Sequence, residues 1–259
     1  MQALRIAATG MHAQQLNVDV LSNNIANLNT TGFKQQMTAF EDLIYLNKVG
    51  VGAITSSAGT VSPTGLQIGL GVNTGSVYKV MQQGTLLNTG NNFDIAVSGR
   101  GFMKVTMPDG TTAYTRDGSF QINQDGDLVT KEGYLVDPAI NVPANAVDFT
   151  VTETGVASAN IDGTVTELGT ITLAMFTNEA GLRNVGDNFY VETEASGTPT
   201  DTNPTEQGSG SIRQGFLEQS NVDPIESITR LITAQRAYEL NSKIITTADE
   251  MLRTLTQVT

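Results

Sequence analysis

The chain has 259 residues with no Cys, no Trp and one His, and charged residues make up 15% of it, against roughly 25% in an average domain. These counts exclude disulfide scaffolds, thiolate zinc sites and cysteine nucleophiles, and they leave most acid–base and metal chemistry without its usual side chain. The net charge of −12 contains no basic cluster, which excludes a nucleic-acid binder and disfavours an anionic membrane surface.

No apolar run approaches the ~20 residues that cross a bilayer, so no membrane insertion is expected. Met1-Gln2-Ala3-Leu4-Arg5 lacks the charged-then-apolar order of a cleavable signal. The charge is unevenly placed. Residues 1–48 sum to zero, residues 212–259 to −1 and the middle to −11. A solvated domain accounts for the acidic middle, whereas near-neutral ends can crowd beside copies of themselves.

The first 28 residues read as a helix with a seam. Leu4, Met11, Val18 and Ile25 recur every seven positions, and Ala7, Gln14, Leu21 and Leu28 follow three later. This is an a/d heptad with one polar interruption, Gln14. Asn27, Asn29 and Gly32 supply stop signals. His12 sits one step off the a row with no acidic residue three or four positions away, so it lacks the orienting partner of a general base.

Residues 49–78 contain no charged residue, and seven of the thirty are Gly. Free linkers are usually more charged, so an extended segment lying against other protein is at least as much expected as a free tether.

From about residue 93 the pattern changes to short β-branched runs closed by turn dipeptides. Asp109-Gly110, Asp117-Gly118 and Asp125-Gly126 follow at eight-residue spacing, with Glu132-Gly133 next. The cadence predicts an antiparallel meander in which each Asp-Gly supplies a tight hairpin's positive φ. Asp162-Gly163 predicts a further hairpin, and residues 195–211 read as a long loop. Gly99-Arg100-Gly101 is too short for a phosphate cradle and should precede a strand. Residues 121–132 line up with a calcium loop at positions three, five, six, eight and twelve, but Gln121 stands at the first ligand position and a hairpin explains the same residues. Neither a metal nor another cofactor is expected.

The last 35 residues repeat the opening design. Leu231, Tyr238, Ile245 and Leu252 form one row, and Ala234, Asn241, Ala248 and Leu255 the other. Asn241 is the kind of polar seam residue that fixes register. Asp223-Pro224-Ile225-Glu226 marks the helix start: Asp223 at the N-cap, Pro224 in the first turn, and Glu226 reaching back.

The whole predicts an α+β fold. N- and C-terminal helices pair as a coiled coil, with a central, mainly antiparallel β domain and an extended connection. The divisions fall at residues 1–30, 31–75, 76–211 and 212–259. With Ala, Gln and Asn at several seam positions, a two-helix hairpin buries little, so the ends are expected to order on association with sister chains.

Several segments resemble the bacterial flagellar rod and hook axial proteins. At the N-terminal end the resemblance lies in Ser22-Asn23-Asn24-Ile25-Ala26-Asn27-Leu28-Asn29-Thr30-Thr31-Gly32-Phe33-Lys34. At the other end it lies in Ala234-Gln235-Arg236-Ala237-Tyr238-Glu239-Leu240-Asn241-Ser242-Lys243 and Asp249-Glu250-Met251-Leu252. Residues 93–102, 114–120 and 214–222 resemble the family's β domain. Length and the single β domain favour the distal-rod branch over the larger hook protein.

The resemblance implies a structural, non-enzymatic subunit exported through the flagellar type III apparatus into a periplasm-spanning rod. It implies a helical homopolymer whose terminal helices form the inner wall, with other rod proteins, the hook protein and the surrounding bushing rings as neighbours. A stiffening segment is expected at about residues 46–66. Another axial protein of proximal-rod or hook type, and a secreted β-domain binding module, are the alternative readings.

Overall fold

The computed structural model describes residues 2–50, 52 and 64–258, apart from the side chains of residues 255, 257 and 258. Most of the expected stiffening segment, and the side chain of Leu255, therefore lie outside the described residues. The chain divides into a helical unit of residues 1–25, 36–78 and 223–259, and a β unit of residues 26–35 and 79–222. Its architecture is the expected one of two terminal helices and a central, mainly antiparallel β domain.

In the helical unit, α1 (Gln2–Ala26) and α2 (Pro224–Val258) run antiparallel. Gly10 of α1 lies against Asn241 of α2. Gln15 and Val18 share a groove with Gln235 and Tyr238, and Val20 and Leu21 share another with Arg230 and Ala234. Both helices are free of internal proline, and only Gly10 interrupts their propensity.

The buried residues of α1 are Ala7, Ala13, Val20, Leu21 and Asn24. The d row thus faces inward at Ala7 and Leu21. The a row of Leu4, Met11, Val18 and Ile25 runs along one flank, half-buried, as does Leu28 beyond the helix end. The reason is that α1 also packs against a β ribbon. Where Gly71 passes α1, a Cβ would overlap the Thr9 hydroxyl, and the amide of Val72 donates to Thr9 Oγ1 at 3.4 Å.

That ribbon is the expected extended connection, now with its strands paired. The segment folds as β1 (Gln36–Asp42), β2 (Tyr45–Val49), β3 (Leu66–Gly69) and β4 (Val72–Lys79). β1 pairs with β4, and β2 pairs antiparallel with β3. The later, largely uncharged strands β3 and β4 satisfy their backbone groups on the preceding strands β2 and β1.

The β unit holds β5 (Leu86–Asn88), β6 (Ile95–Ser98), β7 (Phe102–Thr106), β8 (Thr112–Thr115), β9 (Gln121–Ile122), β10 (Leu128–Val129) and β11 (Leu135–Asp137). Next come β12 (Ala146–Val151), β13 (Val156–Ile161), β14 (Thr164–Thr170), β15 (Leu173–Met175) and β16 (Arg183–Gly186). The last four are β17 (Phe189–Val191), β18 (Thr200–Thr202), β19 (Ser211–Gln214) and β20 (Phe216–Glu218). The main sheet has the order β16-β17-β8-β7-β11-β10-β9, and β15 pairs with both β7 and β18. Beside it stand the β12-β13-β14 meander and two pairs that join early to late sequence, β6 with β19 and β5 with β20. The core gathers Ile95, Met103, Phe120, Leu128, Ile140, Leu173 and Ile212.

The turns both meet and modify the expected cadence. Gly110, Gly126, Gly133 and Gly163 have positive φ and close the β7–β8, β9–β10, β10–β11 and β13–β14 hairpins. Asp117-Gly118 makes no hairpin. Asp117 Oδ1 accepts from the Ser119 amide and hydroxyl at 3.1 and 2.7 Å, and the Gly118 carbonyl accepts from the Ile95 amide at 2.9 Å. β8 therefore does not pair with β9, and the simple meander becomes a sheet in which β11 returns to β7. The expected long loop also contains β18, because Thr200–Thr202 is extended and pairs with β15 despite the flanking prolines.

These two kinds of Asp-Gly predict different substitution costs. A Cβ on Gly118 would overlap the Ile95 carbonyl oxygen, so Gly118→Ala should lower stability by more than about 3 kcal/mol in urea titration. Gly110 has open space and only its positive φ to defend, so Gly110→Ala should cost about 1 kcal/mol.

Candidate assembly faces and their anchors

The C-terminal helix begins on a built cap. Asp223 Oδ1 accepts from the amides of Ile225 and Glu226 at 2.8 and 3.0 Å, and Pro224 opens the helix. Glu226 does not reach back to the cap. It pairs with Arg230 one turn on at 2.6 Å, because a cationic partner at i+4 competes for its carboxylate.

Down α2, the covered row is the heptad seam. Ala234 is buried, and Leu231, Asn241, Ile245, Ala248 and Leu252 are half-buried, while Tyr238 is exposed. A second apolar stripe lies on the other side of the helix by its 3.6-residue period: Ile225, Ile228, Ile232, Leu240, Ile244 and Met251, all exposed, Ile225 by 78%. An ordinary surface helix has one apolar face; α2 has two. The ribbon adds further uncovered apolar surface at Phe40, Ile44, Tyr45, Leu46, Val49 and Leu66. Gln235 and Arg236, both part of the C-terminal signature, are exposed.

The N-terminal signature turns out to be an anchor. Asn24 is fully buried and spends both ends of its carboxamide on one residue, donating to the Gln36 carbonyl at 2.8 Å and accepting from the Gln36 amide at 2.9 Å. It thereby fixes the start of β1 to the end of α1. Asn27 accepts from the Thr30 hydroxyl at 3.0 Å in the following turn.

Within the β unit, Gly32 has φ +69° and sits where a Cβ would lie 2.9 Å from the Arg116 and Asp117 backbone. Its amide donates to the Glu218 carbonyl at 2.8 Å. Phe33 is buried. Lys34, also buried, sends its ammonium to Glu218 Oε1 at 2.6 Å and to the Gln82 carbonyl at 3.0 Å. Arg116 meets Glu218 Oε2 at 3.3 Å, and the Gly84 amide donates to Glu218 Oε1 at 2.9 Å. Two cations thus share one fully buried carboxylate, and burial holds the Lys34 pKa below its ordinary value against the pull of Glu218. Asn221 completes the anchor, accepting from the Gln35 amide at 2.7 Å and donating to the carbonyls of Val80 and Gln82, each at 2.9 Å. The sequence reading missed Glu218, Arg116 and Asn221 as a group; a lysine directly after an apolar Gly-Phe pair was the one available hint that a buried carboxylate must answer it.

The remaining candidates resolve as local structure. Asn123 Oδ1 accepts from the amides of Asp125 and Asp127 at 2.9 and 2.8 Å, so the calcium-like stretch is a turn that consumes its own acceptor. Gly99 and Gly101 flank the turn into β7, and Arg100 pairs with Glu179 at 2.8 Å. His12 is exposed on α1. Lys79 places its ammonium 4.3 Å from the Tyr190 ring centre with no hydrogen-bond partner among the described residues, and burial draws its pKa down to about 8.

A two-faced terminal helix and a signature segment spent on anchoring fit a structural subunit. Comparison with known proteins agrees. Residues 4–34 match the family described as flagella basal body rod protein, residues 96–159 the flagellar hook protein FlgE/F/G D1 domain, and residues 213–258 the flagellar basal body rod FlgEFG protein C-terminal family. The chain belongs to the flagellar basal-body rod protein family. Within it, the chain is a distal-rod member. It is 51% identical to the flagellar basal-body rod protein FlgG of Caulobacter vibrioides, over all of this chain and 99% of the relative. The FlgG of Agrobacterium fabrum is 49% identical over 97% of each chain, and that of Bacillus subtilis 37% over 98% of each.

Replacing Glu218 by Gln should cost about 3–5 kcal/mol of β-unit stability in urea titration, since Lys34 and Arg116 are left buried without a counter-charge. A loss under about 1 kcal/mol would show that the carboxylate is not the anchor. The pH dependence follows from Lys79. Its folded pKa of about 8 lies below the ordinary 10.5, so between these values the unfolded chain binds more protons and stability rises with pH. Lys79→Met should flatten that rise in denaturation midpoints taken from pH 7.5 to 10.5; an unchanged slope would assign it to other groups.

Proposed function

We propose that the chain is a polymerising subunit of a torque-bearing shaft, and that the outer stripe of α2 is the surface through which copies hold one another. The observation that carries this reading is the uncovered row Ile225, Ile228, Ile232, Leu240, Ile244 and Met251 on a helix whose other face is already occupied. The near-neutral ends permit copies of these helices to crowd together, where like-charged ends would resist. Growth without closure requires a heterologous contact, in which one patch meets a different patch on the next copy. The predicted seam residues, from Leu4, Met11, Val18, Leu21, Ile25 and Leu28 to Leu231, Tyr238, Ile245, Leu252 and Leu255, serve in this reading as the packing set of the inner layer.

The apolar ribbon supplies a second layer. With Tyr45, Leu46, Val49 and Leu66 exposed, the region around residues 46–66 is suited to lie between neighbouring subunits and resist twist. The role is structural and not catalytic. Neighbours along the axis are other rod proteins and the hook protein, and bushing rings surround the shaft.

Electron microscopy of the concentrated full chain tests the reading. The parent chain should form rods, and Ile232→Asp/Ile244→Asp should form none while its β unit unfolds at an unchanged urea midpoint. A chain lacking residues 46–66 should give rods of lower bending stiffness. Normal rods from the double variant would sink the α2 assignment, and unchanged stiffness on deletion would sink that of the ribbon.

A further inference from the structure

Gly10 stands inside α1, where glycine is less favourable than alanine, with neither a turn nor a positive φ to justify it. What faces it is the carboxamide of Asn241. A Cβ at position 10 would lie 3.0 Å from Nδ2, 3.2 Å from Cγ and 3.2 Å from Oδ1, all inside ordinary van der Waals separation of roughly 3.5 Å or more. The missing side chain is therefore a hole, and Asn241 is the knob that occupies it. Both residues are half-buried, and the Asn241 carboxamide makes no hydrogen bond among the described residues. In the neighbouring groove Ala234 and Ala237 lie beside Val20 and Leu21, and such small side chains define position less sharply than a filled hole does.

We propose that Gly10 and Asn241 form a size-matched pin that sets the register of α1 against α2, making both of them positioning residues for assembly. A slip of one helical turn, about 5.4 Å, would drive the Asn241 amide into a position bearing a side chain and would leave the hole at Gly10 empty. The pin deepens the shaft reading and takes its purpose from it, since copies can add in one geometry only if each presents its helices in one register.

The chain has no Cys, so nitroxide labels placed by Gln15→Cys and Glu239→Cys, two exposed residues lining the same groove, report the register. Electron–electron distances are measured on the full chain, diluted into excess unlabelled chain at assembling concentration. The parent should give one narrow distance. Asn241→Ala, which removes the knob and leaves the hole at Gly10 empty, should add a second population displaced by about 5 Å. Gly10→Val should broaden or abolish the distance, and Gly10→Val with Asn241→Ala, which exchanges knob and hole, should restore a single narrow one. An Asn241→Ala chain that keeps the parent distance alone, or an exchange variant as broad as Gly10→Val, overturns the pin. A chain that shows all the pin responses but never forms rods supports the pin and overturns the shaft reading.

Discussion

The structure depends on a mismatch within one helix. α2 is apolar on two sides, and its own subunit covers one of them. The covered side meets α1 through a seam of small and mixed residues, Leu231, Ala234, Asn241, Ile245, Ala248 and Leu252; the other presents isoleucines, a leucine and a methionine to water. Exposed apolar side chains scattered singly need no explanation, but six of them along one outer face do, even with Arg236, Glu239 and Lys243 set among them. Each fully buried side chain of this size is worth about 1.5–3 kcal/mol, so covering six of them by association supplies what the intramolecular seam lacks. In the proposed polymer one copy's stripe is covered by a different surface of the next, which leaves the same stripe open at the growing end.

The β unit solves a different problem, which is how to hold the segment following α1. It does so with polar groups taken out of water. Lys34, Arg116 and Glu218 are nearly or fully buried, an arrangement whose desolvation cost is offset only by close geometry and further hydrogen bonds. Gln82 and Gly84 supply those bonds. Lys34 and Glu218 are 184 residues apart, and β5 and β6 pair only with β20 and β19. The anchor therefore closes only when the last strands of the unit are in place. Such an anchor contributes specificity more than bulk stability, since an apolar substitute would accept many partners and a buried lysine accepts one.

How much of this was legible in the sequence follows from the range of each interaction. The two helices, the Asp223 cap and the hairpins at Gly110, Gly126, Gly133 and Gly163 depend on neighbours within a turn or two, and periodicity and turn chemistry reveal them. Gly118 looks the same in sequence as those glycines, but its reason is the Ile95 carbonyl, a contact that only the folded sheet creates. The ribbon was legible as an extended segment but its strand pairing was not, because its strands lack a polar–apolar alternation: Tyr45–Val49 is exposed throughout. Thr200–Thr202 was hidden by prolines on either side of it. The seam of α1 was found, but the face turned inward is wider than the a/d rows, since the ribbon approaches from another side and Gly10 lies outside both rows. The Asn24, Lys34 and Asn221 anchors emerged as recognisable letters in a signature whose physical purpose needed their distant partners.

The most direct test of the central claim is amide hydrogen exchange of the full chain, dilute and polymerised, read residue by residue. If α2 orders because sister chains cover its second face, the amides of residues 228–257 exchange rapidly in dilute solution and slowly in the polymer, while those of β6, β7 and β13 are protected in both. Equal protection of residues 228–257 in the two states would contradict the account, for the helix would then be complete without its copies.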